Sequence, residues 1–301
     1  MFLKEMKHTL QITLILLVFF LCAQLVGLAV IYRYVDSAAS QAAGEVVFRE
    51  LPVGERPPLD EKTSFVPVMA AILIGTVFIL VLIRLSWMWI WKAWFLLAVT
   101  MALTIAGAAF LPRWLAAILA LLAACWKTFR PGFWVQNLTE LFIYGGMAAI
   151  FVPVFNLWSI SILLVLIMGY DMYAVWKSKH MVTLATSQAK AKVFAGLLIS
   201  YAQKGGVVAR GRVQEGVKGV RSVPIRTAVL GGGDLGFPLL FAGVVFKEMG
   251  LWQSVVIPFF ALLGLAFLLW IGKEKKFYPA MPFIGAGCFL GLLVVWGVGL
   301  L

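Results

Sequence analysis

The sequence predicts an all-α membrane protein, a polytopic bundle of about nine transmembrane helices. Of its 301 residues, 63% are hydrophobic and only 13% are charged, whereas a soluble domain is nearer half apolar. Uncharged apolar runs also recur along the chain at a length of about 20 residues, which crosses a hydrocarbon core of roughly 30 Å at about 1.5 Å per residue. We therefore expect the lipid bilayer to surround most of the chain.

Six spans are clear from their composition, and they cover residues 12–31, 66–83, 93–111, 157–176, 249–272 and 277–301. The first of them follows two lysines, as a signal peptide would. Its apolar region is longer than the 7 to 15 residues that are usual for such a peptide, so it predicts a retained helix. A further span over residues 227–246 qualifies if the bilayer tolerates one charge, Asp234.

Two more spans need an additional argument. Residues 138–155 complete a hairpin with the span that follows them, because Pro153 and Asn156 indicate a turn in a segment too long for one crossing. Residues 114–126 are short for a crossing unless Arg113 extends its side chain toward the interface. With both included, the expected number of spans is nine.

The basic residues indicate the orientation of the bundle. A nine-span arrangement with a cytoplasmic N-terminus and an outer C-terminus places most of the 25 Lys and Arg residues inside, as the positive-inside rule expects. An eight-span arrangement with the N-terminus outside satisfies this rule about equally well. We favour nine because Lys4 and Lys7 precede the first span, and because the acidic loop of residues 32–65 would otherwise face the cytoplasm. Both arrangements make the loop of residues 177–226 cytoplasmic.

The formal net charge of +12 raises the question of an anionic partner. The basic residues lie at the edges of the predicted spans and have no separate folded domain to present them. We therefore expect them to contact anionic headgroups of the lipid bilayer, and we expect no nucleic-acid partner.

Three acidic residues fall within predicted spans, where a charged side chain costs on the order of 3 kcal/mol or more. Asp171 lies six residues before Lys177, and Asp234 lies eight residues after Arg226. Helical rise then places the two aspartates about 9 Å and about 12 Å from the cytoplasmic edge, at nearly one level. Glu140 lies near the start of its span, where we expect it to reach interfacial water and to have a structural role.

Two nearby carboxylates in a low dielectric favour a state in which one is protonated and the other is ionised. This is the arrangement that activates a water molecule in aspartic proteases. The predicted depth of the two aspartates does not by itself exclude an alternative function. The same two residues could serve an ion transporter, a proton-coupled transporter or a channel. The two histidines of the chain do not form a zinc motif and no nucleotide-binding loop is present, so we expect no metal and no cofactor.

Three short motifs occur in a fixed order along the last spans. A tyrosine precedes the first intramembrane aspartate, a Gly-x-Gly-Asp quartet ends at the second, and Pro-Ala-Met-Pro begins the last span. Together with the topology, they resemble the presenilin and signal peptide peptidase family of intramembrane aspartyl proteases, and in particular a prokaryotic, archaeal presenilin homologue. The resemblance covers residues 157–301 directly and the first half only through the number of spans.

The resemblance implies a presenilin-like bundle and a role for each motif residue. Asp171 and Asp234 would be catalytic. The residues that would shape their surroundings are Tyr170, Gly231 and Gly233, together with Pro279, Ala280 and Met281, which correspond to the Pro-Ala-Leu motif of the family with methionine in place of leucine. Residues 1–156 would form a scaffold of helices 1 to 5, and residues 157–301 the catalytic helices 6 to 9 with the cytoplasmic loop 177–226.

The implied substrates are transmembrane helical peptides whose N-termini lie outside. The substrate must unwind locally before cleavage. We expect the glycine-rich residues 205–223 to offer strand pairing to the unwound peptide, after an amphipathic helix over residues 191–201. A homo-oligomer is compatible with the sequence. A further alternative is a prepilin-peptidase-like protease, which shares the Gly-x-Gly-Asp quartet but carries a cysteine-bearing cytoplasmic segment that this sequence lacks.

Overall fold

The computed structural model describes residues 10–85, 87–178, 194–202, 225–272 and 278–299, which form a helical bundle with one small antiparallel sheet. The strands β1 (Gly196–Ala202) and β2 (Ile225–Gly231) lie between the seventh and eighth helices. In chain order the helices are α1 (Leu10–Arg33), α2 (Ser37–Ala43), α3 (Phe65–Arg84), α4 (Met88–Ala108), α5 (Arg113–Phe129), α6 (Phe133–Phe151), α7 (Leu157–Tyr173), α8 (Gly232–Met249), α9 (Leu251–Ile271) and α10 (Met281–Gly299).

Each predicted span coincides with a long helix in the described part of the chain, and the short α2 lies in the first loop. Seven of the described helices are long and apolar enough to cross a membrane. This confirms the prediction of a multi-pass membrane protein, but it does not confirm the count of nine. Two of the nine predicted spans are not among these seven. The helix α5 has only 17 residues, and the 18 residues of α8 include three charged side chains, Asp234, Lys247 and Glu248.

The turn between the fifth and sixth predicted spans is confirmed. A single 3-10 turn, Val152–Val154, follows α6, and Asn156 then caps α7. The Asn156 side chain accepts a hydrogen bond from the backbone N–H of Ser159, and the Ser159 hydroxyl accepts one from the Asn156 N–H. This reciprocal capping satisfies backbone donors that the start of a helix leaves free. The long apolar segment is therefore divided into two helices, α6 and α7.

The helix α6 begins at Phe133, five residues before the predicted span over residues 138–155. The predicted span did not include residues 133–137 because Gln136 and Asn137 are polar. Both side chains are buried and hydrogen-bonded to protein groups. A polar residue that has a protein partner does not have to leave the bundle.

Two predicted helical segments are strands instead. The amphipathic helix expected over residues 191–201 is wrong for residues 196–201, which belong to β1. The span expected from residue 227 is also too long, because β2 continues to Gly231 and α8 begins at Gly232. The depth of about 12 Å expected for Asp234 assumed helical rise throughout and loses its basis. Residues 205–223, expected to pair with substrate, lie outside the described residues.

The buried side chains of the sheet explain why these residues form strands. Leu197 and Ile199 on β1, and Ala228 and Leu230 on β2, are buried, and they alternate with less buried residues. This period of two is the pattern of a strand with one face on the core. The sheet therefore packs against the bundle through one apolar face.

One large apolar core draws on both predicted halves of the chain. It includes Phe20 of α1, Leu163 of α7, Leu239 of α8 and Ile284 of α10, all fully buried. The helix α3 is the exception, since only 6% of its most apolar window is buried inside the bundle. The division into a scaffold of residues 1–156 and a catalytic part of residues 157–301 stays a prediction.

Candidate active site

Asp171 lies near the C-terminal end of α7 and points toward the start of α10. Its side chain is 4% exposed, and its Oδ2 accepts a hydrogen bond of 3.1 Å from the backbone N–H of Met281. The backbone amide of Ala280 acts on the same carboxyl group. The amides at the start of a helix have no partner within the helix, and they interact favourably with a negative group. The α10 N-terminus is therefore a binding site for the Asp171 carboxylate.

Asp234 lies in the first turn of α8 and is partly buried. Its Oδ2 accepts a hydrogen bond of 3.3 Å from the backbone N–H of Gly231, the last residue of β2. The carboxyl group is also close enough to that of Asp171 for the two to interact electrostatically. The fold thus brings together two acids that lie 63 positions apart in the numbering, each beside the N-terminal end of a helix.

The Pro-Ala-Met motif forms the turn into α10. The carbonyl of Ala280 accepts hydrogen bonds of 3.1 Å from the backbone N–H groups of Phe283 and Ile284, so Ala280 caps the helix. Pro279 precedes this cap and Met281 follows it as the first residue of α10. Pro279 and Met281 are both buried. The motif therefore contacts Asp171 through its backbone, and this contact does not depend on the side chain at position 281.

Tyr170 precedes Asp171 on α7, but its hydroxyl group points toward α3. It donates a hydrogen bond of 3.3 Å to the Oγ1 of Thr76. This contact joins α7 to the least buried of the seven described helices that could cross a membrane. The structure thus places Tyr170 between the aspartate site and α3.

The glycines of the Gly-x-Gly-Asp quartet differ in the space around them. A Cβ atom at Gly231 would lie 3.3 Å from the Oδ2 of Asp234, and one at Gly233 would meet only the ring of Phe237 at 3.5 Å. A Cβ at Gly232 would lie 2.9 Å from the hydroxyl oxygen of Tyr144. The tightest position of the three is therefore Gly232, which the motif leaves unspecified.

A buried polar network near the site was missed by the sequence analysis. The Nζ of Lys127 on α5 lies 2.7 Å from the Oε1 of Glu140 on α6, and the Tyr144 hydroxyl donates to Oε2 of the same carboxylate. Glu140 is 1% exposed, so the expectation that it reaches interfacial water is wrong. The signal was present in the sequence as an intramembrane acid and a nearby lysine, but the two residues lie on different helices.

The arrangement can carry out acid–base chemistry on a water molecule. One ionised and one neutral carboxyl group supply a base and an acid within one site. Within the described ranges, no three or more His, Cys, Asp or Glu side chains are grouped closely enough to hold a metal ion. The expectation that the protein uses no metal and no cofactor stays a prediction.

Comparison with known proteins identifies both the fold and the family. The crystal structure of a presenilin family intramembrane aspartate protease in space group C222 superimposes with a TM-score of 0.62 and 19% identity, covering 95% of this chain and 99% of that chain. A structure of a presenilin family intramembrane aspartate protease in space group P2 superimposes with a TM-score of 0.61 and 19% identity. This match covers 95% of this chain and 97% of that chain. At this identity the two matches show a shared fold.

A sequence search of curated proteins finds no match. The family model for signal-peptide peptidase, presenilin aspartyl protease matches residues 50–298, which is most of the 301-residue chain. The predicted resemblance to this family is thereby confirmed, and the prokaryotic, archaeal origin stays a prediction. The chain belongs to the signal-peptide peptidase and presenilin family, and it is an intramembrane aspartyl protease.

Proposed function

We propose that Asp171 and Asp234 are the catalytic pair, and that they hydrolyse peptide bonds within transmembrane helices of membrane-protein substrates. The observation that carries this proposal is that the fold brings the two carboxyl groups close enough to interact electrostatically. The backbone N–H groups of Met281 and Gly231, which donate to Asp171 and Asp234, support it by holding each carboxyl group in place.

In the proposed reaction a water molecule lies between the two side chains. The ionised aspartate takes a proton from the water as the oxygen attacks the scissile carbonyl carbon. The neutral aspartate donates a hydrogen bond to the carbonyl oxygen, which becomes negative in the transition state. Tyr170, Gly231, Gly233 and the Pro279–Met281 turn shape the surroundings of the pair.

The β1–β2 hairpin offers a place for the unwound part of the substrate. A helical peptide bond is shielded by its own hydrogen bonds, so an extended conformation has to be stabilised by other backbone groups. The end of β2 leads into the turn that holds Asp234, through the Gly231 N–H that binds its carboxylate. An extended substrate added to this hairpin would therefore pass close to the aspartates.

The proposed topology has a cytoplasmic N-terminus, a cytoplasmic loop over residues 177–226 and an outer C-terminus. The clustering of basic residues in that loop and beside the first span supports this orientation. Substrates are then transmembrane helices with their N-termini outside. The remaining partners are the lipid bilayer and, as a candidate, a second copy of this chain; nucleic acid is not an expected partner.

The test uses purified protein reconstituted with a single-span substrate. Cleavage of the substrate by the unaltered protein, lost in both Asp171→Ala and Asp234→Ala, is the expected result. A matched control is Glu45→Ala, which removes a carboxylate of the first loop and should leave cleavage unchanged. Cleavage that persists in either aspartate variant would overturn the assignment.

Neither alternative gains support from the comparisons. The family model and the shared fold both belong to presenilin-type proteases, and they do not favour a transporter or a prepilin-peptidase-like enzyme. Ion flux measured in the same vesicles distinguishes the transporter: flux that persists in the absence of any cleavage would favour it over proteolysis.

A further inference from the structure

Two side-chain amides of α6 are bonded to the backbone of β1. The Nδ2 of Asn137 donates to the carbonyl of Leu198 at 3.0 Å, and the N–H of Leu198 donates to the Oδ1 of Asn137 at 2.9 Å. One position earlier on α6, the Nε2 of Gln136 donates to the carbonyl of Gly196 at 2.9 Å. Asn137 therefore binds Leu198 in both directions, as a residue of a neighbouring strand would.

These contacts lie on one edge of β1. Backbone groups two residues apart on a strand point to the same side, so the Gly196 and Leu198 groups face the same neighbour. In the strand register Gly196 lies opposite Gly231 and Leu198 opposite Val229. Because the Leu198 groups are bonded to Asn137, these are the pairs whose backbone groups point away from the partner strand. The outer edge of β1, at Gly196 and Leu198, is thus already occupied by α6.

A buried ion pair holds the Gln136 amide in place. Gln136 Nε2 also lies 3.2 Å from the Oε1 of Glu140, and that oxygen is bound by Lys127 Nζ at 2.7 Å. Gln136 and Asn137 are both buried. Buried side chains whose polar atoms are bonded in this way have little freedom to change rotamer. The Glu140 carboxylate therefore fixes the direction in which Gln136 reaches β1.

The same network reaches the first turn of α8. Tyr144 donates to Glu140 Oε2 and lies against α8 at two glycines: a Cβ at Gly232 would be 2.9 Å from its hydroxyl oxygen, and one at Gly236 would be 3.6 Å from its ring. Asp234 lies between these two glycines. One face of α6 thus contacts both β1 and the turn that carries a candidate catalytic residue.

The second strand has the opposite arrangement. The Gly231 N–H at the end of β2 is bonded to Asp234 Oδ2, and Val229, two residues earlier, lies opposite Leu198, so its backbone groups also point away from β1. Their backbone groups share one side of β2 because they are two residues apart. This outer edge of β2 therefore runs toward Asp234, whereas the outer edge of β1 is closed by α6.

We propose that Gln136 and Asn137 are positioning residues that block the outer edge of β1 and hold the hairpin in register with Asp234. An unwound substrate then adds to the outer edge of β2, and the fixed hairpin determines which peptide bond reaches the aspartates. Lys127, Glu140 and Tyr144 act through Gln136 and through the first turn of α8. This inference rests on the proposed function, since it assigns a role to the surroundings of the same site.

The first test compares Asn137→Leu with unaltered protein in the reconstituted cleavage assay. The substitution keeps the approximate size of the side chain and removes both hydrogen bonds to Leu198. We expect KM to rise by about tenfold, the effect of losing one to two hydrogen bonds, and new cleavage positions to appear in the masses of the products. The matched control is Thr139→Val, because Thr139 is also buried on α6 but its hydroxyl donates only to Val135 and Gln136 of its own helix.

Identical product masses and KM in Asn137→Leu would overturn the proposal, as would an equal shift in Thr139→Val. Asn137→Asp is a second variant, which keeps an acceptor for the Leu198 N–H but loses the donor to its carbonyl. We expect it to shift the products less than Asn137→Leu does. A larger shift in Asn137→Asp than in Asn137→Leu would contradict the hydrogen-bonding role.

A second measurement does not depend on cleavage. Amide hydrogen exchange at Leu198 should become at least tenfold faster in Asn137→Leu than in unaltered protein, with no change in Thr139→Val. Unchanged exchange at Leu198 would overturn the proposal that Asn137 holds the outer edge of β1, even if proteolysis is confirmed. Failure of the proposed function has a different signature, because unaltered protein would then cleave no substrate.

Discussion

The backbone N–H of Met281 donates a hydrogen bond of 3.1 Å to the Oδ2 of Asp171. This bond joins the first residue of α10 to the end of α7, across 110 residues of sequence. The predicted correspondence of this segment to the Pro-Ala-Leu motif puts Met281 in the place of the leucine. Because the backbone makes this contact, methionine in place of leucine leaves the hydrogen bond to Asp171 intact.

The Met281 contact predicts opposite outcomes for two substitutions. Met281→Pro removes the N–H at the first position of a helix, where proline is otherwise well tolerated. Loss of a hydrogen bond to a charged group costs about 1.5 to 3 kcal/mol, so we expect kcat/KM to fall by about 10- to 100-fold. Met281→Leu keeps the N–H and should stay within about threefold of the unaltered protein. Equal activities of the two variants in the cleavage assay would contradict the role of this amide.

The quartet that ends at Asp234 predicts an order of stability among alanine variants. Gly232→Ala places a methyl group 2.9 Å from the Tyr144 hydroxyl oxygen, whereas Gly233→Ala meets only a ring at 3.5 Å. Overpacking of this kind costs about 1 to 3 kcal/mol. We expect Gly232→Ala to lower the midpoint of thermal unfolding in detergent by several degrees and Gly233→Ala to change it little. The reverse order would show that the first turn of α8 packs differently.

Removing one partner of the Lys127–Glu140 ion pair should lower the free energy of unfolding strongly, whereas replacing both partners should lower it little. Lys127→Met leaves a buried carboxylate without its cation, which destabilises by about 3 to 5 kcal/mol. Lys127→Met combined with Glu140→Gln removes both charges and keeps an acceptor for the Tyr144 hydroxyl. We expect the double variant to regain most of the lost stability in denaturant unfolding. A double variant no more stable than Lys127→Met would exclude a paired charge as the source of the effect.

The proposed pair of aspartates predicts a bell-shaped dependence of kcat/KM on pH. At low pH both carboxyl groups are protonated and the base is lost. At high pH both are ionised and the acid is lost, so activity falls on this side as well. Only the state with one shared proton is active. Initial rates measured across the pH range in one vesicle composition test this, and a rate that rises to a plateau at high pH would contradict it.

The sequence was sufficient to predict the parts of the molecule that depend on composition and on short motifs. The long apolar runs predicted the helices to within a few residues at most boundaries. The motifs around Asp171 and Asp234 predicted that these two acids lie together, and the fold places the carboxyl groups close enough to interact electrostatically. The predicted depth of Asp234 did not contribute, because β2 replaces the helix on which it was based. Both kinds of inference use residues that are near one another in the chain.

The parts that the sequence did not predict depend on contacts between distant residues. The strand residues Leu197, Leu198 and Ile199 form a continuous apolar run, which has no period of two and is too short to distinguish a strand from a helix. Their identity as a strand depends on pairing with Leu230 and Ala228. Glu140 was expected in interfacial water because its lysine partner lies on another helix. In both cases a tertiary contact overrode the local pattern.

The most direct measurement of the central claim is whether the side chains at positions 171 and 234 can be joined. The double variant Asp171→Cys, Asp234→Cys is made in a background in which the native cysteines, Cys22, Cys125 and Cys288, are replaced by alanine. We predict that a short thiol-specific cross-linker joins the two introduced cysteines in the membrane, while Asp171→Cys paired with Glu248→Cys remains unlinked. Failure of the 171–234 pair to cross-link, in protein that folds as the background does, would contradict a shared aspartate site.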